Sequence, residues 1–444
     1  LREYFNDEIR VLKKVVLITS KRNLAVISSK LKALTLIDIL IIILYCFIAI
    51  KVVVPNSKFI GGLLLIVGTS IGGGMLALPL STAEVGFSNS IFFLILCWLV
   101  MTVGALLVLE VNLRLPAGSS MVSMAKSTLG LPGQIVAWIT YLLLFYTLLA
   151  AYISGGSDVL NGLLQQANLN VPNWLTSLLF TLTFSLIVYG GMRSVDYFNR
   201  GLMFGKLGIY LLLIFLISPH VDRAALSGGS TKAITGSLMV LITSFGFASI
   251  VPSLREYFHD DIPALRKVIF FGSLIPLSCY IIWDAVIMGV VQRDGLIALA
   301  SNEHATSGLT KALSKAVESQ WITGFFGFFT SICMVTAFLG VSIGLFDFLA
   351  DGLTLRKTGG QGKSTLALTF IPPLAVVLIN PGIYLHALSY AGFCCVVLLL
   401  LLPSLMAFRA RRIDCAEDVW VVPGGNLFLG FIAITALFLL GIAI

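Results

Sequence analysis

Charge is scarce in this sequence. Asp, Glu, Lys and Arg make up 11% of its 444 residues, against 58% hydrophobic, and the mean hydropathy is +1.00. Soluble domains are about 45–50% apolar and about 25% charged. So small a charged fraction cannot cover the surfaces of two or three soluble domains, which excludes a soluble globular enzyme. Histidine is scarcer still: His220, His259, His304 and His386 all fall in loops or near the ends of apolar runs. That leaves Gly68-Thr69-Ser70-Ile71-Gly72, a match to the G-x-S-x-G nucleophile pattern, without a base, so an intramembrane serine hydrolase is a remote alternative. The seven cysteines include no C-x-x-C pair and lie mainly in apolar runs, so they read as small hydrophobes and not as metal ligands or disulfides. The segment GGQGKST at Gly359–Thr365 resembles a phosphate loop but has Lys357 where the first glycine is needed, so ATP is not expected to drive the protein. The balance of 29 Lys and Arg against 21 Asp and Glu forms no basic stripe, which argues against nucleic acid as a partner.

What is abundant is apolar runs of membrane length. A bilayer core of about 30 Å needs about 20 apolar residues at about 1.5 Å rise each. Such runs lie at 59–80, 90–112, 134–154, 174–191, 199–218, 235–253, 268–291, 321–345, 364–380, 384–407 and 424–444. The pattern predicts an all-α polytopic membrane protein, with no strand-period alternation of the outer-membrane barrel type. Basic residues are unevenly shared between the connecting loops. One set of alternate loops, with the span ends beside them, holds 14, from Arg114 to Arg412 and including Arg193, Arg200, Lys206, Arg356 and Lys357. The other set holds Arg223, Lys232, Arg293, Lys311 and Lys315. Because Lys and Arg stay on the cytoplasmic side, the span at 59–80 is expected to start inside and the C-terminus to end outside.

Residues 1–57 fit this scheme poorly. The first Met is Met75, and Leu1–Ser20 matches Leu254–Ser273 in 11 of 20 positions. The expectation is an atypical extension, a paralogue fragment or read-through, with an extra helix at 33–54 as the alternative.

Two spans carry unusual chemistry. In Gly61–Leu80 the residues Gly68, Gly72, Gly73 and Gly74 crowd the middle and Pro79 follows. Glycine weakens a helix and bares backbone N–H and C=O groups, which at membrane depth are tolerated only inside protein or beside a water-filled cavity. The plainer reading is a packing face, since Gly68-x-x-x-Gly72 is itself a helix-packing motif. The span at 235–253 has a similar outline, with Ser244, Gly246, Ala248 and Ser249 around Phe245 and Phe247, then Pro252. Paired interruptions at matching places in two halves point to a secondary-transporter site near the midplane. Half-helix N-termini there suit a carboxylate and freed carbonyls an ammonium group, so a zwitterionic amino acid answers both. Charges within spans carry functional weight. Lys206 lies about two turns into its span, where snorkelling to the interface is the alternative. Asp284 lies deep in its span as a candidate for a polar cavity. Glu110 and Asp347 sit at inner span ends, where solvated anchoring is expected.

The chain resembles the hydroxy and aromatic amino acid permease family, within the amino acid–polyamine–organocation superfamily. The residues that carry the resemblance are GTSIGGGMLALPL at Gly68–Leu80, LLVLEV at Leu106–Val111, AAYISGG at Ala150–Gly156, FNRGLMFGK at Phe198–Lys206, TSFGFASIVPSL at Thr243–Leu254, LRKVIFFGSLIPLSCYIIW at Leu265–Trp283, FLGVSIGLFDFLADG at Phe338–Gly352 and TFIPPLA at Thr369–Ala375. The resemblance implies a bacterial inner-membrane symporter importing an aromatic amino acid with protons, tyrosine ahead of tryptophan, with no cofactor. It implies a five-plus-five inverted repeat, 58–218 and 235–407, with an eleventh span at 424–444. Carried over residue by residue, Gly68, Thr69, Ser70, Gly72, Gly73 and Gly74 would hold the substrate backbone from the first span, and Ser244, Phe245, Gly246 and Phe247 would serve from the sixth. Lys206 matches the fifth-span lysine that takes the place of a sodium ion in proton-coupled relatives, while Asp284 departs from the neutral residue expected there. Phe245, Phe247, Tyr141 and Tyr146 are candidate walls for an aromatic ring, with plain lipid or core packing an equal alternative for the two tyrosines. The alternatives are a channel or a non-transporting sensor on the same fold.

Overall fold

A computed structural model describes residues 57–190, 192–259, 261–353, 355, 359–413 and 419–443. The predicted extension at 1–57 lies outside this set apart from Ser57, as do Arg356 and Lys357 and the side chains of Arg193 and Arg200. The described residues contain helices and turns, with no β-strand among them.

The first apolar run forms two helices, α1 (Ser57–Ser70) and α2 (Gly73–Ser81), separated at Ile71 and Gly72 and bent by 52°. There follow α3 (Phe87–Leu113), α4 (Met121–Gln166), α5 (Asn173–Tyr189), α6 (Met192–Ile217) and α7 (Ile234–Ser244). A tighter 3₁₀ turn at Gly246–Ile250 joins α7 to α8 (Val251–Phe258), and α9 (Ile262–Val290) follows. The second half continues with α10 (Arg293–Ala300), α11 (Ala305–Val317), α12 (Gln320–Gly352), α13 (Gly359–Ile379), α14 (Tyr384–Val396), α15 (Leu402–Ile413) and α16 (Gly425–Ala443), with a π turn at Val397–Leu401 between α14 and α15. Eight of the described helices or helix runs are long and apolar enough to cross a membrane, nine with the bent pair, while Asn173–Tyr189 and Gly205–His220 are shorter apolar helices.

The predicted span at 134–154 ends too early, since α4 runs on to Gln166. The hydropathy signal fades because Ser154, Gly155, Gly156, Ser157, Asp158 and Asn161 are small or polar, yet all are buried against neighbouring helices. Small residues are what such contacts need: a Cβ on Gly156 would lie 2.7 Å from a ring carbon of Phe180. At its other end α4 is kinked at Gly130, whose φ of +75° is open to glycine at little cost, and Pro132 follows. The helices α10 and α11 are amphipathic and polar, below the threshold of a reading for membrane spans. GGQGKST opens α13 as helix, the wrong conformation for a phosphate loop.

Glu110 corrects the expectation of solvated anchoring. It is fully buried, and Arg411 of α15 grips it with two parallel bonds, Nε to Oε1 at 2.6 Å and Nη2 to Oε2 at 2.7 Å. The Val422 N–H donates to the same Oε2 at 2.8 Å, and Arg411 Nη2 also donates to the Val422 carbonyl at 3.0 Å. A planar fork on a carboxylate is the geometry in which a buried ion pair offsets its desolvation.

Candidate functional site

The site begins with backbone that its helices leave unused. α1 ends with the Ile71 N–H on the Val67 carbonyl at 2.8 Å, and α2 opens with the Met75 N–H on the Gly72 carbonyl at 3.2 Å. Between them, among the described residues, the N–H groups of Gly72, Gly73 and Gly74 find no acceptor and the carbonyls of Gly68 and Thr69 find no donor. A helix end with orphaned N–H groups carries partial positive charge, and one with orphaned carbonyls carries partial negative charge. Gly72, Gly73 and Gly74 are buried, so these groups sit within protein.

Side chains from three other helices fix the carbonyls next to the break. Tyr384, at the start of α14, donates to the Gly73 carbonyl at 2.5 Å. Lys206 of α6, only 2% exposed, donates to the Ile71 carbonyl and lies 3.5 Å from Thr336 Oγ1 on α12. Tyr280 of α9 donates to the Ser70 carbonyl at 2.6 Å and lies 2.9 Å from the Ser244 carbonyl, so one hydroxyl reaches both interrupted spans. The two interruptions also touch: a Cβ on Gly74 would lie 3.2 Å from Ser244 Oγ.

The second interruption is milder. The Phe245 N–H bonds the Ile242 carbonyl at 3.0 Å, and Ser244 Oγ turns back to the Val240 carbonyl at 3.0 Å. Phe245 is fully buried edge-on to Tyr280, with ring centroids 5.3 Å apart, and Phe247 is buried nearby in the 3₁₀ turn. A Cβ on Gly246 would meet Cys395 Sγ at 3.4 Å.

The residues singled out in the sequence thus divide. Ser70, Gly72, Gly73, Gly74, Ser244, Phe245 and Lys206 meet around the two interruptions. Thr69 faces outward on α1, with its hydroxyl on the Leu65 and Ile66 carbonyls. Tyr141 stacks on Phe348 of α12 at 5.3 Å, and the Tyr146 hydroxyl donates to the Leu368 carbonyl at 2.8 Å. Asp284 is fully buried in α9. Sequence reasoning missed Tyr152, Tyr280 and Tyr384. The first two stand inside the family-like segments AAYISGG and LRKVIFFGSLIPLSCYIIW, and a phenol in an apolar span is the available signal, because its hydroxyl needs a partner. The Ser70 hydroxyl has no hydrogen-bond partner among the described residues, so no histidine activates it.

The far end of α4 meets a lid of loop helices. Asp158 accepts from the Thr306 N–H at 2.9 Å, the Ser307 N–H at 2.8 Å and Ser307 Oγ at 2.7 Å, and lies 2.9 Å from His304 Nδ1. These amides open α11, so Asp158 caps a helix whose own N-cap residue, His304, makes no side-chain cap. Arg293 of α10 donates to the Ala83 carbonyl at 3.0 Å and the Glu84 carbonyl at 2.7 Å, just beyond α2.

A sequence model of the tryptophan/tyrosine permease family matches residues 55–443. The tyrosine-specific transport system 1 of Haemophilus influenzae is 33% identical over 376 residues, 84% of this chain and 93% of that protein. The tryptophan-specific transport protein of the same organism is 33% identical over 391 residues, 85% of this chain and 93% of that protein. Its tyrosine-specific transport system 2 is 31% identical over 379 residues, 84% and 93%. With a match running from the start of α1 to the end of α16, this multi-span membrane protein belongs to the tryptophan/tyrosine permease family, whose members are amino acid transporters and not enzymes.

Proposed function

We propose that the protein is a proton-coupled symporter that imports an aromatic amino acid across the bacterial inner membrane by alternating access, with tyrosine preferred to tryptophan. The observation that carries this reading is the set of unspent backbone groups at the first break: three N–H donors on one side, two carbonyls on the other. A free amino acid brings a carboxylate for the first and an ammonium for the second. Gly68, Thr69 through its carbonyl, Ser70, Gly72, Gly73 and Gly74 are assigned to the substrate backbone, and Ser244, Phe245, Gly246 and Phe247 to the side-chain end. The buried ring of Phe245 supports an aromatic cargo.

The proposed architecture is five plus five inverted spans, 58–218 and 235–407, with 424–444 outside the repeat. It is supported by interruptions in the leading span of each half. Lys206 is assigned to proton coupling. Its ammonium bonds a carbonyl of the break, so its charge state changes how firmly α6 holds α1 and α2. A proton that binds one conformation better than another shifts the population by that difference in affinity.

The test is uptake in proteoliposomes under an imposed pH gradient. Tyrosine or tryptophan should accumulate, compete with each other and leak away when an uncoupler is added. Uptake driven by sodium and indifferent to pH would sink the coupling reading, and a channel or sensor would give no accumulation at all. In Lys206→Ala, unchanged gradient-driven uptake would end that residue's role.

A further inference from the structure

Asp284 is the buried charge-bearing group for which the site described above has no use. It lies about six residues from the end of α9, fully buried, and among the described residues neither carboxylate oxygen has a hydrogen-bond partner. Thr82, just past α2, stands beside it, and because the Thr82 hydroxyl hydrogen goes to the Leu78 carbonyl at 2.7 Å, that oxygen can only accept. On α6 it is faced by Tyr210, one turn beyond Lys206, whose hydroxyl donates to the Cys279 carbonyl at 2.9 Å. The adjacent Trp283 stacks on Phe326 at 5.7 Å, and its Nε1 is likewise without a partner.

The charged and titratable groups on the surrounding elements are committed elsewhere. α2 carries none. Arg293 is held by the Ala83 and Glu84 carbonyls, and Lys311 of α11 by Gln165 Oε1 at 3.1 Å. Lys58 sits at the far end of α1, and Glu110 of α3 is taken by Arg411. Lys206 is bonded to the Ile71 carbonyl. Among the described residues, no cation pairs with Asp284.

An unpaired carboxylate in such a place is far costlier than a neutral carboxyl, and burial of ionisable groups at membrane depth marks proton pathways. We propose that Asp284 is a second proton-carrying group of the transport cycle, neutral in the closed arrangement seen here and ionised when the junction of α2, α6 and α9 admits water. The step is a plain proton transfer. An Asp284 oxygen takes a proton from hydronium on the outer side and gives it to water when the opposite face opens, and no other bond changes. Asp284 and Thr82 stand beside the trailing end of α2, so a tilt of that half-helix is the motion that would wet the carboxyl. This inference rests on the proton-coupled reading given above.

The experiment measures protons and labelled substrate entering proteoliposomes together, with the membrane potential clamped by potassium and valinomycin. If Asp284 carries a proton, Asp284→Asn moves one proton fewer per substrate than the wild type. Steady-state accumulation then falls by about tenfold for each pH unit of gradient, since a tenfold ratio is the work of one proton across one unit. An unchanged proton-to-substrate ratio overturns the proposal and leaves the symporter reading intact, whereas a wild type that ignores the pH gradient overturns the symporter reading itself. Should Asp284→Asn carry nothing, Asp284→Glu decides. Restored gradient-driven uptake shows that a carboxyl is required, and an equally dead Asp284→Glu assigns the side chain to packing alone.

Discussion

At the scale of residues, the site depends on a few hydroxyls aimed at carbonyls. Tyr280→Phe keeps the ring against Phe245 but leaves the Ser70 and Ser244 carbonyls without their donor. The expected loss is about 1–3 kcal/mol of stability, the cost of unsatisfied buried acceptors, read as a lower midpoint in thermal unfolding of the purified protein. Gly73→Ala tests the close approach directly. Its Cβ would lie 2.6 and 2.8 Å from two ring atoms of Tyr152, and a rigid ring cannot absorb that contact by bending. Overpacking of this kind costs about 1–3 kcal/mol; here it also displaces the N–H groups that open α2, so substrate uptake should be lost while the protein still reaches the membrane. Part of this was legible in the sequence and part was not. The glycine cluster announces itself because weak helix-formers in an apolar run expose backbone, a local property. Lys206 announces itself through cost. Tyr280, Tyr384 and Tyr152 do not, because an aromatic in a span reads first as packing, and the carbonyls they serve lie 210, 311 and, for the ring of Tyr152 on Gly73, about 80 residues away in sequence.

At the scale of elements, α11 is the helix to watch. Its first amides are capped by Asp158 of α4, so Asp158→Ala should destabilise the lid by roughly 1–2 kcal/mol, the usual worth of an N-cap, seen as faster hydrogen exchange at Thr306 and Ser307. His304 adds a pH dependence. Its hydrogen bond to Asp158 raises it above the ordinary histidine value of 6.5, helped by the Asp158 and Glu303 charges and opposed by partial burial and by Lys311. A group raised in the folded state contributes fully below its ordinary value and loses that contribution as pH rises through the raised one. The lid should therefore be held more firmly in acid and loosen above it. Comparing exchange across pH in the wild type and in His304→Gln checks this, because the substitution should remove the wild-type trend. The side chain is 43% exposed, so salt should weaken the effect. None of this lid was foreseen, since α10 and α11 are short and polar, and the cap that stabilises α11 stands in a different helix.

At the scale of the whole molecule, the apolar runs reported where the helices lie, because backbone in a membrane must satisfy itself within each span. How the helices are joined was beyond that signal. Glu110 and Arg411 stand 301 residues apart and close a fork that binds α3, α15 and the segment leading to α16. Glu110→Ala would strand the guanidinium, and about 3–5 kcal/mol is the usual cost of breaking a buried pair by removing one partner. The expected result is a large drop in thermal stability, with Arg411→Ala equally damaging and the double variant less so than the sum of the two. A second tie, between α8 and the end of α3 with the loop after it, is made by Arg255, which donates to the Asn112 carbonyl and, at 2.8 Å, to that of Leu115.

The Tyr280 hydroxyl also bears on speed. It owns a single hydrogen and is claimed by two carbonyls, one on each interrupted span. At any instant one claimant is served by the short bond and the other waits, and a small rotation of the O–H exchanges them. When the halves of the molecule rock apart, the hydrogen goes with whichever carbonyl remains in reach, so separation gives up only part of one bond. Such a shared hydrogen works as a bearing: it holds the two spans in register at rest and offers little resistance when they turn.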